Sequence, residues 1–264
     1  MLNFLRRRRE EEPPPPPPSI GDDLRVYAIG DIHGRDDLFE QLLDRIAADH
    51  AGRAPMPVRI ILLGDLVDRG PRSAQVIRRV LALREAGMDL SVLRGNHEEV
   101  FVAAAHGDER ATPIFCRIGG AETLASYGLD EDACMAMDAT DITVWMMNHV
   151  PRDHIDFIDD LPDQIEIGDY LFVHAGIRPD VPLPAQRGED LRWIRAEFLE
   201  HRRPHPRFIV HGHSITQDVD AQANRIGIDT GAYFSNRLTA LGLEGTKRWT
   251  LTTGARDSMD IAVQ

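Results

Sequence analysis

The chain is organised as a succession of short apolar runs, each of which stops at a small polar motif that pairs glycine with Asp, Asn or His. Arg25 to Ile29 runs into Gly30-Asp31-Ile32-His33-Gly34, Val58 to Leu63 into Gly64-Asp65-Leu66-Val67-Asp68-Arg69-Gly70, and Leu90 to Leu93 into Arg94-Gly95-Asn96-His97-Glu98. Later, Tyr170 to Val173 ends at His174-Ala175-Gly176, and Phe208 to Val210 at His211-Gly212-His213-Ser214. Short apolar runs bounded by glycine read as buried strands. Between the first of them lie helical patterns: Leu38, Leu42, Leu43 and Ile46 share one face of a helix over 37–50, and 74–86 is helical in pattern. Asp37 followed by Glu40 has the form of a capping box. Strands alternating with helices predict an α/β sandwich. In such sheets ligands gather beyond the carboxyl ends of the strands, which is where all of these motifs fall.

The stretch from Glu98 to Pro162 reads as mostly helical, including Ile142 to Met147 and Asp153 to Leu161, and holds no chemical motif. Strand patterns then return. Ile226 to Ile228, Leu238 to Leu243 and Arg248 to Thr252 lie close together and predict an antiparallel meander. One catalytic domain is expected over 23–256, with a short C-terminal tail at 257–264. Residues 1–22 stand apart, with a basic block Arg6 to Arg9, an acidic block Glu10 to Glu12 and prolines from Pro13 to Pro18. Proline removes donors and favours an extended helix, so this segment reads as a disordered tail, with a tail that docks a partner through the proline run or lies on a membrane surface as the alternative.

The bulk numbers bound the function. A chain of 264 residues can bury a sizeable core. A formal net charge of -13 argues against binding duplex nucleic acid through its phosphates. It does not argue against a phosphorylated substrate, because arginines and metal ions can reverse the field inside a cleft. No apolar run approaches the roughly 20 residues needed to span a bilayer. The basic block near the N-terminus lacks the apolar stretch of a secretory signal. Two cysteines, Cys116 and Cys134, do not make a disulfide framework; free thiols in a reducing, cytoplasmic setting are expected.

Asp, Asn and neutral His are ligand types that intermediate divalent metals accept, and a two-metal centre needs one carboxylate that bridges the ions. Asp31 and His33 on one tight turn can hold a first ion, Asp65 is the natural bridge, and Asn96, His174 and His213 can hold a second. His97 follows Asn96 and is placed as a general acid, oriented by Asp68. Arg69 and Arg94 flank these residues and suit bidentate contact with phosphate oxygens. His106, His149, His154, His201 and His205 fit no motif and read as surface or loop residues. Asp229-Thr230-Gly231 reads as a turn, with support of the metal ligands as the alternative.

With its GDxHG, GDxVDRG and GNHE motifs intact, the chain resembles the metallophosphoesterase superfamily, specifically the phosphoprotein-phosphatase type, from Arg25 to about Leu243. Within that type it looks most like compact bacterial and phage serine/threonine phosphatases. The resemblance implies a four-layer α/β/β/α sandwich with two mixed sheets. It implies Asp31, His33 and Asp65 on one ion, and Asp65, Asn96, His174 and His213 on the other. It also implies His97 with Asp68 as the acid pair, and Arg69 and Arg94 as phosphate contacts. Leu191-Arg192-Trp193-Ile194-Arg195 resembles the segment that supplies a third phosphate-binding arginine, which makes Arg195 the candidate. No histidine follows at the second position after His213, which favours the phosphatase over the phosphodiesterase branch, and His211 reads as structural. The implied reaction is hydrolysis of a phosphomonoester, phosphoserine or phosphothreonine in a protein first, by in-line attack of a metal-bridging hydroxide. Manganese is the expected activating metal, with iron or zinc as alternatives. A dinucleoside polyphosphate hydrolase on the same fold is the competing expectation. A phosphodiesterase, or an inactive module that recruits partners, ranks behind it.

Overall fold

The computed structural model describes residues 16–254 and 259–260. Its first half alternates as the apolar runs predict: β1 (Arg25–Ile29), α1 (Asp36–Ala51), β2 (Val58–Leu62), α2 (Ser73–Glu85) and β3 (Leu90–Val92). A helical stretch follows, with α3 (Asn96–Ala105), α4 (Thr112–Phe115), α5 (Ala121–Ser126), α6 (Glu131–Ala136), α7 (Ala139–His149) and α8 (Arg152–Asp159). The second half holds β4 (Gln164–Ile167), β5 (Tyr170–Val173), α9 (Gly188–Trp193), α10 (Ala196–Leu199), β6 (Phe208–His211), β7 (Asp220–Ala221) and β8 (Arg225–Gly227). It closes with α11 (Ala232–Ser235), β9 (Thr239–Glu244), β10 (Lys247–Thr252) and β11 (Met259–Asp260).

The strands form two mixed sheets, ordered β11-β10-β9-β1-β2-β3 and β4-β5-β6-β8-β7. β1, β2 and β3 run parallel, as do β5, β6 and β8; the remaining pairs are antiparallel. Side chains alternate across a strand, so each sheet serves two layers. Val26, Ala28, Ile61 and Leu63 meet Phe172, Val210 and Ile226 between the sheets. Tyr27, Ile29, Ile60 and Leu62 face the other way, against Leu42, Val76 and Phe101 of the long helices. On the far side Leu171, Val173 and Ile209 pack with Leu191, Ile194 and Phe198. The result is the expected four-layer α/β/β/α sandwich.

Three local expectations give way. The antiparallel meander is only a pair, β9 with β10; β8 lies in the second sheet, parallel to β6 with Val210 opposite Ile226. A three-residue strand carries too little pattern to choose a sheet, and Ile226 and Ile228 are buried between the two. The capping box is absent. α1 begins at Asp36 behind Arg35 with no side-chain cap, and Asp37 instead binds Arg35 at 2.8 and 2.7 Å. Asp36 turns to Arg79 at 2.6 Å. Both carboxylates stay in the first turn, where the helix dipole favours them.

The third concerns the chain ends. Residues 18–21, assigned to the tail by composition, lie along the ends of both sheets. Ile20 donates its N–H to Gly245 O at 2.9 Å, and Ser19 O accepts from Asp169 N at 2.8 Å. Ile20 itself is 3% exposed within the layer between the sheets. Gly168, at φ 56°, makes room for this strap, since a Cβ there would press on Ser19 O. Likewise β11 adds two residues to the first sheet inside the segment expected as a C-terminal tail. The charged blocks at 6–12 and the first prolines lie outside the described residues. Ile20→Ala is expected to lower the unfolding free energy by about 2–4 kcal/mol, in the range for a buried Ile truncation. Urea unfolding of both proteins measures it, and a loss under about 0.5 kcal/mol would mean that the strap adds no packing.

Candidate metal centre

β1, β2, β3, β5 and β6 each run into one of the polar motifs, and the following loops converge at the same edge of the sandwich. Backbone meets backbone there: a Cβ on Gly64 would lie 2.7 Å from Gly95 N, and one on Gly34 2.5 Å from Gly70 O. The closeness bends the chain. His33, Asp65, Asp68, Arg69 and His213 take φ of 45°, 50°, 72°, 68° and 60°. A non-glycine residue in that region costs about 1–3 kcal/mol, so surrounding contacts must impose it.

Those contacts are identifiable. The buried Glu98 carboxylate accepts the backbone N–H of Asp65 at 2.7 Å, Leu66 at 2.7 Å and Gly95 at 2.9 Å. It ties the loop after β2 to the start of α3. Burial, and then the Asp65 charge, push the Glu98 carboxyl up to about 7. Asp68 is held by Thr123 Oγ1, which donates to its carboxylate at 2.8 Å, while Arg69 N donates to Gly119 O at 2.9 Å.

Asp65 lies at the centre. Its Oδ2 is 3.5 Å from His33 Nε2 and its Oδ1 3.4 Å from His174 Nε2, so one carboxylate faces a histidine on each side. His33 Nδ1 lies 2.8 Å from Val67 O and His174 Nδ1 2.8 Å from Leu63 O. A carbonyl only accepts, so both Nδ1 atoms carry the proton and both Nε2 lone pairs point inward. Asn96 Oδ1 is 3.0 Å and His213 Nδ1 3.2 Å from His174 Nε2. Asp31 lies beside them, accepting His213 N at 3.1 and 3.0 Å. Burial pushes His33 down to about 3 and His213 to about 2, and lowers His174, leaving neutral imidazoles. Burial opposes ionisation of Asp65 as well, but His174, His97, His33 and His213 around it hold its carboxylate far below the usual range.

The donor set fits metal ions. Two overlapping groups, His33–Asp65–His97 and Asp65–His174–His213, each bring their ligand atoms within 4.8 Å of one another and share Asp65. The buried Nε2 of His213 has no hydrogen-bond partner. A pair of divalent ions here would polarise a phosphoryl oxygen and lower the pKa of a water. The chain's own residues supply the rest. His97 Nδ1 meets Asp68 Oδ2 at 2.7 Å, fully buried. Burial works against the charged imidazole, but Asp65 and Asp68 outweigh it and raise the His97 pKa. Its Nε2 faces Arg69 Nη2 at 2.9 Å, and Arg69 Nη1 lies 3.0 Å from His33 Nε2. A phosphate arriving here would compete for this guanidinium fork and release both ring nitrogens.

A cavity of about 280 Å³ opens above, floored by Asp65, His97 and His213 and walled by Arg69, Arg195 and Tyr233. Arg195 thus lines the same cavity as Arg69. Arg94 does not line this cavity; its Nη2 is bound to Asp159 at 2.5 Å. His211 is buried, with its Nε2 3.1 Å from Arg225 Nη1. His154, expected at the surface, is 3% exposed and meets Tyr127 OH at 2.8 Å, because α8 packs its amphipathic face inward. Two contributors were missed in the sequence. Glu98 had a signal, standing three residues after Gly95 where half of a capping box would place it. Tyr233, edge-on to His33 with ring centroids 5.5 Å apart, had none, since only the fold brings α11 to this edge.

Glu98→Gln replaces an acceptor of backbone N–H groups by an amide that offers donors to them. Metal affinity or turnover is expected to fall about 10- to 100-fold, while Glu99→Gln on the next residue, paired with Arg192 outside the centre, changes neither. Metal content and p-nitrophenyl phosphate turnover of both variants measure this. Equal behaviour of the two would remove Glu98 from the site's support.

Comparison with known proteins agrees with this geometry. Residues 24–238 match the calcineurin-like phosphoesterase family. The symmetrical bis(5'-nucleosyl)-tetraphosphatase of Acidovorax ebreus (strain TPSY) is 35% identical over 158 residues, 59% of this chain and 45% of that protein. The chain thus matches about half the length of this curated relative. A solved structure described as a candidate diadenosine tetraphosphatase superposes with TM-score 0.60 at 20% identity, covering 89% of this chain and 100% of that one. The cold-active protein-tyrosine phosphatase of a psychrophilic Shewanella species superposes at 0.55 with 19% identity, over 88% of this chain and 80% of that one. At these identities the two structures speak for the fold alone. The family match spans β1 to the threshold of β9 and takes in every motif of the centre, and on that ground the chain belongs to the calcineurin-like phosphoesterase family.

Proposed function

We propose that the chain is a hydrolase acting on the phosphoanhydride bridge of a dinucleoside polyphosphate, with two divalent metal ions, manganese first, held by Asp31, His33, Asp65, Asn96, His174 and His213. In a symmetrical cleavage of a tetraphosphate, the oxygen of water bonds to one of the two central phosphorus atoms. The bond from that phosphorus to the bridging oxygen breaks, and two nucleoside diphosphates leave with the protons of the water. The observation that carries this reading is the likeness to relatives whose name gives that reaction, at 35% identity through 59% of the chain. The site supports it with two arginines on the cavity wall, Arg69 and Arg195, able to meet the charge on more than one phosphate. A cytoplasmic setting is part of the proposal; among the described residues no helix is long and apolar enough to cross a membrane.

One observation favours a second reading, hydrolysis of phosphoserine or phosphothreonine. The His97–Asp68 pair, 2.7 Å apart and buried, has the form of a general acid with its orienting carboxylate. A nucleoside diphosphate is a good leaving group and gains little from protonation, whereas a serine alkoxide gains much.

Full-length protein loaded with manganese separates the two. A dinucleoside tetraphosphate is expected to give two nucleoside diphosphates at a higher kcat/KM than that for phosphate release from a phosphopeptide. The opposite order would replace the first reading by the second. His97→Asn is expected to keep its metal content and to slow phenyl phosphate by about 10²- to 10⁴-fold, with a smaller loss for p-nitrophenyl phosphate. Equal losses on the two esters would remove His97 from the acid role.

A further inference from the structure

Beyond the catalytic cavity lies a second, of about 380 Å³, which shares Arg69 and Tyr233 with the first. Its remaining wall is made by Arg35, Asp37 and the Gly70-Pro71-Arg72 turn. The three arginines differ in what they are free to do. Arg35 is committed: its Nε and Nη2 bind Asp37 at 2.8 and 2.7 Å, and its Nη1 meets Ala232 O at 3.0 Å and Asn236 Oδ1 at 2.6 Å. It shapes the wall, and Asp37 cancels its charge. Arg69 already serves the catalytic side. Arg72 is exposed and forms no ion pair among the described residues.

Its backbone, by contrast, is anchored. Arg72 N donates to Gly34 O at 2.9 Å, and Gly70 packs so closely on His33 O that no Cβ would fit. The turn that presents Arg72 is therefore bound to the turn that presents His33. With Arg35 and Asp37 cancelling, Arg69 and Arg72 leave this cavity positive, in a chain whose net charge is -13. Tyr233, like Arg69, lines both cavities, with the Arg69 guanidinium 4.9 Å from its ring centroid. Next to it Phe234 is 59% exposed, at a centroid distance of 5.1 Å from Tyr233. An exposed aromatic beside a positive cavity suits a ligand that carries both phosphates and a flat base.

We propose that this second cavity is the subsite for the leaving half of a polyphosphate chain, with Arg72 holding a phosphate beyond the scissile bond and Tyr233 separating the two halves. It rests on the polyphosphate reading of the site above. A substrate with one phosphate fills only the first cavity. A chain of several phosphates continues over Arg69 towards Arg72, and the distance from the centre at which its charge is held sets where along the chain cleavage falls.

The test uses full-length, manganese-loaded protein, with the metal kept in excess over phosphate. Inorganic tripolyphosphate and orthophosphate are each titrated as inhibitors of p-nitrophenyl phosphate hydrolysis. Tripolyphosphate is expected to inhibit about tenfold more tightly, as one added charge-assisted contact would give. Arg72→Gln is expected to erase most of that ratio and Arg72→Lys to keep most of it. A ratio near one in the native protein, or a ratio that Arg72→Gln leaves unchanged, overturns the proposal. The parent reading fails on a different result, no turnover of the dinucleoside tetraphosphate by the native protein, whatever the inhibition ratio shows.

Discussion

The structure around the centre depends on the Glu98 carboxylate. Asp65, the carboxylate shared by both candidate metal-binding groups, stands clear of its own strand at φ 50°, a conformation its backbone would not choose. Glu98 imposes it by gathering the N–H groups of Asp65, Leu66 and Gly95 onto one pair of oxygens. Hydrogen bonds contribute about 0.5–1.5 kcal/mol net each, so three together match the strain of about 1–3 kcal/mol that they impose. The geometry then propagates. With the loop after β2 in place, Ile32 N and His33 N both donate to Asp65 O, so the loop after β1 is built on it. His97 N donates to Asp65 Oδ1, so the first turn of α3 is built on it too. Gly64 and Gly95 are required here because these loops touch backbone to backbone.

Burial divides the ionisable groups into two kinds. His33, His174 and His213 lose their charge to burial and become neutral donors, each with an imidazole nitrogen directed at Asp65 or its neighbours. His97 is buried beside them yet is driven the other way, because Asp68 backs it and Asp65 faces it. Four histidines in one cluster thus take two roles, and the difference lies in what stands behind each ring. A carbonyl stands behind His33 and His174, a carboxylate behind His97.

The arginines follow a similar logic of commitment. Arg94 and Arg192 are spent on bridging the helical layer to its surroundings, through Asp159 in one case and Glu99 and Asp163 in the other. Arg69, Arg72 and Arg195 remain at the mouth of the cavities. The ion pair of Arg94 crosses from the loop after β3 to a carboxylate on a distant helix. Asp159 lies 65 positions from Arg94, on α8.

Much of this was legible in the chain itself. Strands that end in Gly-Asp or Gly-Asn, and helices with one apolar face, are local patterns, and they sufficed for the first half of the fold and for the residues that meet at Asp65. Periodicity and turn chemistry act over a few residues, so the sequence by itself determined which side chains leave strand ends and which chemistry they suit. It did not determine partners that meet only across layers. The sheet that takes β8, the packing of the 18–21 strap, the buried environment of His154, the pairing of Arg94 with Asp159 and the arrival of Tyr233 beside His33 each depend on surfaces far apart in the chain. Tertiary structure decided them, because burial and charge pairing are set by what is near in space, and a three-residue strand or a lone arginine carries no local record of its neighbour.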